Sequence, residues 1–169
     1  MKTVVRAIAV FLLPVALVFW LSSSVGATSV GAIDGTAGDD FIVVGSGDTE
    51  VIPGPGDDFV VGGPGNNRYV IAAGEGEDTL YAVEGENFVE FDSSVAYGDV
   101  SGGLMKSGDD LIMNIGQAGQ SLTVKGFFSI AGTVQEFQFA TGETIPSSLL
   151  FQVFGLTAPT ATVSSKVPH

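Results

Sequence analysis

Cysteine is absent from the 169 residues, which excludes a disulfide frame and a thiolate metal site. Histidine occurs once, as the last residue, His169. A Ser-His-Asp triad, a Cys-His pair or a histidine zinc site would each need one inside the fold. Basic residues are scarce: six Lys and Arg stand against nineteen Asp and Glu, a formal net charge of −13. Such a surface repels nucleic acid and anionic lipid and attracts divalent cations, so no nucleic-acid partner is expected. No phosphate loop, dinucleotide fingerprint or HExxH occurs. Gly54, Gly56, Gly63 and Gly65 resemble a phosphate loop only superficially, because they sit among carboxylates. Helical periodicity is also missing, never running over ten residues outside the apolar N-terminus. What remains is a chain for one domain, with 24 glycines and only 15% charged residues. That composition predicts a turn-rich, all-β fold.

Residues 35–81 repeat. In nines they read GTAGDDFIV (35–43), VGSGDTEVI (44–52), PGPGDDFVV (53–61) and GGPGNNRYV (62–70), then AGEGEDTLY (73–81) after the two extra residues Ile71 and Ala72. The fourth place is always glycine: Gly38, Gly47, Gly56, Gly65 and Gly76. The sixth is Asp40, Thr49, Asp58, Asn67 and Asp78, and the eighth is apolar: Ile42, Val51, Val60, Tyr69 and Leu80. Ile33 keeps the same beat nine residues ahead of Ile42. A glycine at fixed spacing supplies the positive φ or close backbone approach of a sharp turn. A triplet such as FIV or FVV is one short strand, and its eighth-place side chain can point inward. One unit cannot bury its own apolar face, so only stacked units make a core. Stacking piles the acidic turns on one another, and piled carboxylates repel unless a cation lies between them.

The pattern resembles Gly-Gly-x-Gly-x-Asp-x-U-x (U a large apolar residue), the nonapeptide of the RTX, or haemolysin-type, calcium-binding repeats. The resemblance implies a short parallel β-roll, two nonapeptides per turn, with Ca2+ held between turns on one side. Its ligands would be sixth-place carboxylates one full turn apart, helped by carbonyls of the glycine-rich loops. Carried onto this sequence, Asp40 with Asp58 is the best pair, with Asp58 and Asp78 the second, their spacing stretched by Ile71 and Ala72. Gly38, Gly56 and Gly76 would offer carbonyls, and Asp39, Asp57, Asp48 and Asn67 are second-choice ligands. Thr49 and Asn67 fall on the other side of the roll and bring no carboxylate. One or two ions are expected rather than a full ladder.

At the N-terminus Lys2 and Arg6 precede an apolar run from Ala7 to Leu21, then Ser22, Ser23, Ser24 and the triplet Val25-Gly26-Ala27. That order predicts a signal peptide over 1–27, with cleavage after Ala27 and a secreted, extracellular protein. Cleavage removes Lys2 and Arg6, leaving four basic residues against nineteen acidic, or −15. Periplasmic location, or an uncleaved N-terminal membrane anchor, is the alternative. No other membrane contact is expected. Export bears on calcium, because extracellular modules bind it with Kd of about 10⁻⁴–10⁻³ M. With Kd of about 0.1 mM and about 1 mM calcium outside, each ion adds roughly 1.4 kcal/mol of folding stability. A front-end signal departs from the RTX habit of an uncleaved C-terminal export signal, so toxin or protease activity does not follow from the resemblance.

After Thr79 the nonapeptide beat is read as fading into longer strands. Residues 80–92 show apolar runs around a turn at 84–87, residues 108–128 a hairpin turning at Gly116 to Gly119, and residues 133–145 another turning at Thr141 and Gly142. GDDLIMNIG, SLTVKGFF and VQEFQFATGETI resemble the haemolysin-type calcium-binding-related segment, which continues the roll and closes its open end. An open solenoid end exposes unpaired strand edges, so a cap has a physical purpose. Phe127, Phe128, Phe137, Phe139 and Phe151 suit its core; a carbohydrate platform is their minor alternative. Asp109 and Asp110 read as a solvated turn, with one more calcium-facing pair as the alternative. The expected organisation is a signal peptide (1–27), a calcium-binding β-roll (28–81), a β-rich capping segment (82–155) and a flexible tail (156–169). The expected function is a secreted structural or adhesive calcium module, not an enzyme, touching cell-surface or extracellular-matrix components. The alternative is a secreted enzyme or hydrolase accessory with an acid-pair site, its repeats serving only stability.

Overall fold

The computed structural model describes residues 31–116, 118–129 and 134–158. The expected signal peptide, and the expected tail from residue 159 onward, lie outside them.

Each glycine-led turn reverses the chain after a short strand, so successive units alternate between two sheets and every second unit stacks. One sheet receives β1 (Gly31–Asp34), β3 (Thr49–Ile52), β5 (Arg68–Ile71) and β7 (Phe88–Phe91). The other receives β2 (Phe41–Val43), β4 (Phe59–Val61) and β6 (Glu77–Tyr81). All of these neighbours pair in parallel, in the expected register. Eighth-place side chains therefore form two buried columns between the sheets. Val51, Tyr69 and Val89 stand in one column with half-buried Ile33 at its end, and Ile42, Val60 and Leu80 in the other. The fold is the parallel β-roll that the repeats predict.

The reading that the beat fades after the fifth unit needs correction. AVEGENFVE (82–90) is a sixth unit, with Gly85, Asn87 and Val89 in the fourth, sixth and eighth places. Its strand β7 lies on β5 with Val89 opposite Tyr69. Val83 and Glu84 replace the small residues usual before the glycine, which hides the unit in the sequence. Gly85 shows that the turn is as tight as the others: a Cβ there would sit 1.8 Å from the Gly65 carbonyl oxygen.

The capping segment extends both sheets. Short helix α1 (Tyr97–Ser101) leads to β8 (Leu104–Ser107), β9 (Asp110–Asn114) and β10 (Ser121–Val124). Then come β11 (Glu136–Phe139), β12 (Thr144–Pro146) and α2 (Ser147–Val153). Strand β10 stacks in parallel on β6 and β11 in parallel on β7, so the cap grows directly on the roll. The expected hairpins then turn the sheets antiparallel, β9 beyond β10 and β12 beyond β11, and a further one, not expected, adds β8 beyond β9. Phe127, Phe137, Phe139 and Phe151 are buried as expected, and Phe128 packs half-buried beside them. Their rings touch at centroid distances of 4.9 Å (Phe127–Phe128), 5.7 Å (Phe127–Phe151) and 6.0 Å (Phe127–Phe137). Helix α2, too short for sequence periodicity to reveal, is held by packing: its Leu150 and Phe151 close the end of the core. Gly155, at φ 68°, ends it.

Candidate metal edge of the roll

The turns stack along two edges, and sixth-place residues occupy both. One edge holds Asp40, Asp58 and Asp78, the other Thr49, Asn67 and Asn87. On the first, each carboxylate accepts an amide from the turn before it. Asp58 Oδ1 accepts from Asp40 N at 2.8 Å, and Asp78 Oδ1 from Asp58 N at 3.1 Å. Asp40, at the end of the column, accepts from the Thr36 amide and hydroxyl. Fifth-place acids work the other way along the same edge. Asp39 Oδ1 accepts from Asp57 N and Asp57 Oδ1 from Glu77 N, both at 2.9 Å. The fourth-place glycines let the turns come this close. A Cβ on Gly56 (φ 143°) would lie 2.6 Å from the Gly38 carbonyl carbon, and one on Gly76 2.5 Å from the Gly56 carbonyl oxygen.

These acids stand in poor surroundings for negative charge. Asp58 and Asp78 are buried, at 2% and 3% exposure. Burial pushes the Asp58 carboxyl up to about 6, and the charges of Asp40, Glu75 and Asp39 push the same way against the Asp40 amide. Burial likewise raises Asp78 to about 7, reinforced by Asp58, Glu75 and Asp57 and opposed by the Asp58 amide. Glu75 is a third acid in this neighbourhood that the sequence reading passed over. Its carboxyl is also raised, chiefly by burial, while its Oε2 accepts from Ala72 N at 2.7 Å. A third-place acid carries no signal in the repeat pattern, so only the fold brings Glu75 near Asp58 and Asp78.

The fit of a cation can be judged from one atom. Asp58 Oδ2 is buried without any hydrogen-bond partner. A buried carboxylate oxygen left unpaired costs several kcal/mol of desolvation in principle, unless a positive group meets it. Among the described residues no three Asp, Glu or His side chains form a ready-made metal cluster. An ion at this edge would therefore draw on main-chain carbonyls as well as carboxylates, a hard all-oxygen set suited to calcium.

Asp48 and Asn67, expected as second-choice ligands, stand on the opposite edge, half a turn away. Asp48 Oδ1 accepts from Asn66 N at 2.8 Å, and Asn66 Oδ1 in turn from Glu86 N at 2.9 Å. Asn67 uses its amide as a donor, to Gly63 O at 2.9 Å, Gly65 O at 3.3 Å and Asn87 Oδ1 at 3.1 Å. In the cap, Asp110 is a clamp: it pairs with Lys125 and accepts from Gly126 N at 2.8 Å. The Lys125 bond holds its carboxyl below the usual carboxylate range.

Two family models match the chain. The RTX calcium-binding nonapeptide repeat, which describes four copies, matches residues 32–51 and 52–89, so it reaches through the sixth unit. The haemolysin-type calcium binding protein related domain matches residues 110–145, the hairpins of the cap. No curated protein matches the chain. The nonapeptide repeats bind Ca2+. The roll thus carries RTX calcium-binding nonapeptide repeats, and the cap that follows it a haemolysin-type calcium binding protein related domain.

Proposed function

We propose that the chain is a secreted, non-catalytic module, structural or adhesive, whose β-roll is completed by calcium along the Asp40–Asp58–Asp78 edge. The observation behind this reading is the buried, partnerless Asp58 Oδ2 in a column of acids. Asp58 belongs to both carboxylate pairs, so it is the central ligand. Asp40, Asp78 and the carbonyls of Gly38, Gly56 and Gly76 complete the set, with Asp39, Asp57 and Glu75 beside them. Calcium bound there supplies the positive charge that lets successive acidic turns lie in register. The chain itself supplies the rest: glycines that admit close stacking, and backbone amides that fix Oδ1 of Asp58 and of Asp78, leaving Asp58 Oδ2 for the ion.

Two further observations support a module rather than an enzyme. Asp39, Asp57 and Asp48 are engaged as acceptors between turns, which is structural work. The outer face of the second sheet presents Phe41 and Phe59, exposed and stacked at 5.5 Å with planes 9° apart, beside exposed Val43 and Tyr81. Such a stripe supports an adhesive role. Secretion rests on the N-terminal signal pattern and on the millimolar calcium outside cells. The test uses the purified full chain, followed by far-UV circular dichroism and melting with calcium and with chelator. The expected outcome is a calcium-dependent gain in β signal and melting temperature. A melt indifferent to both reagents would overturn the reading.

A further inference from the structure

The second edge of the roll has the same backbone architecture and no carboxylate in its sixth places. Thr49, Asn67 and Asn87 are all buried there, at 8%, 0% and 0% exposure. Each turns a donor onto the carbonyls of its own turn. Thr49 Oγ1 donates to Gly47 O at 3.2 Å, and Asn87 Nδ2 to Val83 O at 3.3 Å. Asn67 Nδ2 does most, sitting among Gly63 O, Gly65 O and Asn87 Oδ1. Those acceptors are two turn carbonyls and the sixth-place oxygen of the next turn. Nine residues earlier, on the acidic edge, Gly54, Gly56 and Asp78 occupy the equivalent places of the repeat relative to Asp58. Asp58 Oδ2 and Asn67 Oδ1 are both buried without a hydrogen-bond partner, but only Asn67 also brings an NH2 group, which donates to all three of its acceptors.

The geometry points to a roll that binds calcium on one edge only, the Asn67 side-chain amide taking the ion's place on the other. The carbonyls of a glycine-rich turn need a positive partner once they are buried. An amide NH2 meets that need without a metal. The second edge is thus a built-in, calcium-independent seam, and the ion count is set by the aspartate edge alone. This rests on the reading above that calcium is held by Asp40, Asp58 and Asp78, and it adds what the opposite edge does.

The test measures bound calcium and melting temperature on the full-length chain. In the first arm the acidic edge is converted to amides by Asp40→Asn, Asp58→Asn and Asp78→Asn together. Bound calcium should fall to zero and the melt should become insensitive to chelator; an ion retained by this variant would overturn the inference. In the second arm Asn67→Asp puts a carboxylate among the same oxygens. Its melting temperature in chelator should fall by about 5 °C or more, and calcium should restore it with one ion more than wild type. Asn87→Asp keeps the acceptor that Asn67 uses, so its loss in chelator should be less than half as large and its ion count unchanged. Equal losses, the reverse order, or no loss for Asn67→Asp would defeat the idea. If Asn67→Asp does not fold under any condition, the first arm decides. Should wild type bind no calcium at all, the reading of the acidic edge fails, while the order of the two Asn variants in chelator still decides the role of the amide.

Discussion

The two edges of this roll differ at their centres by little more than an oxygen in place of an NH2 group. Asp58 and Asn67 stand nine residues apart in the same place of the repeat, both buried, and each is joined to the turn twenty residues ahead. Asp58 N donates to Asp78 Oδ1 and Asn67 N to Asn87 Oδ1, both at 3.1 Å. The backbone is thus nearly the same, and the chemistry is opposite. Each leaves one side-chain oxygen without a partner, but the aspartate's second oxygen can only accept, while the asparagine's NH2 delivers hydrogen bonds to the turn carbonyls. A stacked glycine turn brings carbonyl oxygens together whatever its sixth residue, and in the proposed reading that residue decides whether their positive partner is internal or an ion. On the reading proposed above, the edge that lacks its own donor is the one that takes calcium.

The largest break in this comparison should come from Asp58→Ala. It removes the carboxylate shared by both pairs, so in calcium the chain should lose about 3 kcal/mol, the contribution of two ions at about 1.4 kcal/mol each. In chelator the same variant should lose much less, since relief of a repelling buried carboxylate offsets the acceptor lost to the Asp40 amide. Paired denaturant melts would check both halves, and an equal loss in the two conditions would remove calcium from the account.

Next in size is a glycine contrast along the acidic edge. Gly56→Ala should cost about 2–3 kcal/mol, through its positive φ and a clash with the Gly38 backbone. Gly38 occupies the same place in the first unit, where a Cβ would meet nothing within 4 Å. Gly38→Ala should therefore stay within about 0.5 kcal/mol. Similar melting temperatures for the two variants would argue against the close stacking of the turns.

A smaller effect concerns pH. The Asp58 and Asp78 carboxyls are raised from 3.8 to about 6 and about 7 in the folded chain. The calcium-free fold therefore holds protons more tightly than the unfolded chain. Its stability should rise as pH falls through 7 and 6 toward 4, and should be lost again as pH rises through the folded values. Protons then compete with calcium, so the calcium-induced gain in melting temperature should shrink over the same interval. Melts at pH 5.5 and pH 7.5, with and without chelator, would show it. A calcium-induced gain equal at the two pH values would contradict the burial of these acids.

The smallest effect tests a rival account of the calcium-free edge. Arg68 follows Asn67 and bridges Glu50 at 2.8 Å and Glu90 at 2.7 Å across three strands. That clamp, rather than the amides, could be holding the edge together. Its Arg side chain is 46% exposed, however, and exposed ion pairs contribute about 0–1 kcal/mol. Arg68→Met should cost less than about 1 kcal/mol, and less still as salt is added. A larger loss in chelator would transfer credit from Asn67 to Arg68.

Much of this was legible because a nonapeptide repeat writes its geometry into the sequence. Gly56, Asp58 and Val60 give the turn, the edge and the core directly, and the period of eighteen gives the stacking partner. Three things were not legible. The unit at 82–90 was masked by Val83 and Glu84 and by the two-residue slip at Ile71 and Ala72, although Gly85, Asn87 and Val89 kept the pattern. Glu75 sits in a third place that has no fixed residue type, so its approach to Asp58 depends on the stacked turns. Helix α2 has only seven residues and exists because Leu150 and Phe151 have a core to close.

By itself the sequence determined the local period: where the chain turns, which side chain faces inward, and which places hold acid. A strand of three or four residues with a glycine at each end has few other ways to bury its apolar residue. Only the tertiary structure decided the fate of the polar atoms. Whether a sixth-place side chain finds carbonyls, a neighbouring carboxylate or nothing depends on the turn stacked above it, eighteen or twenty residues away. That is why Asn67 looked like a weak ligand in the sequence and stands in the fold as a donor, while Asp58 keeps an oxygen that nothing in the described fold satisfies.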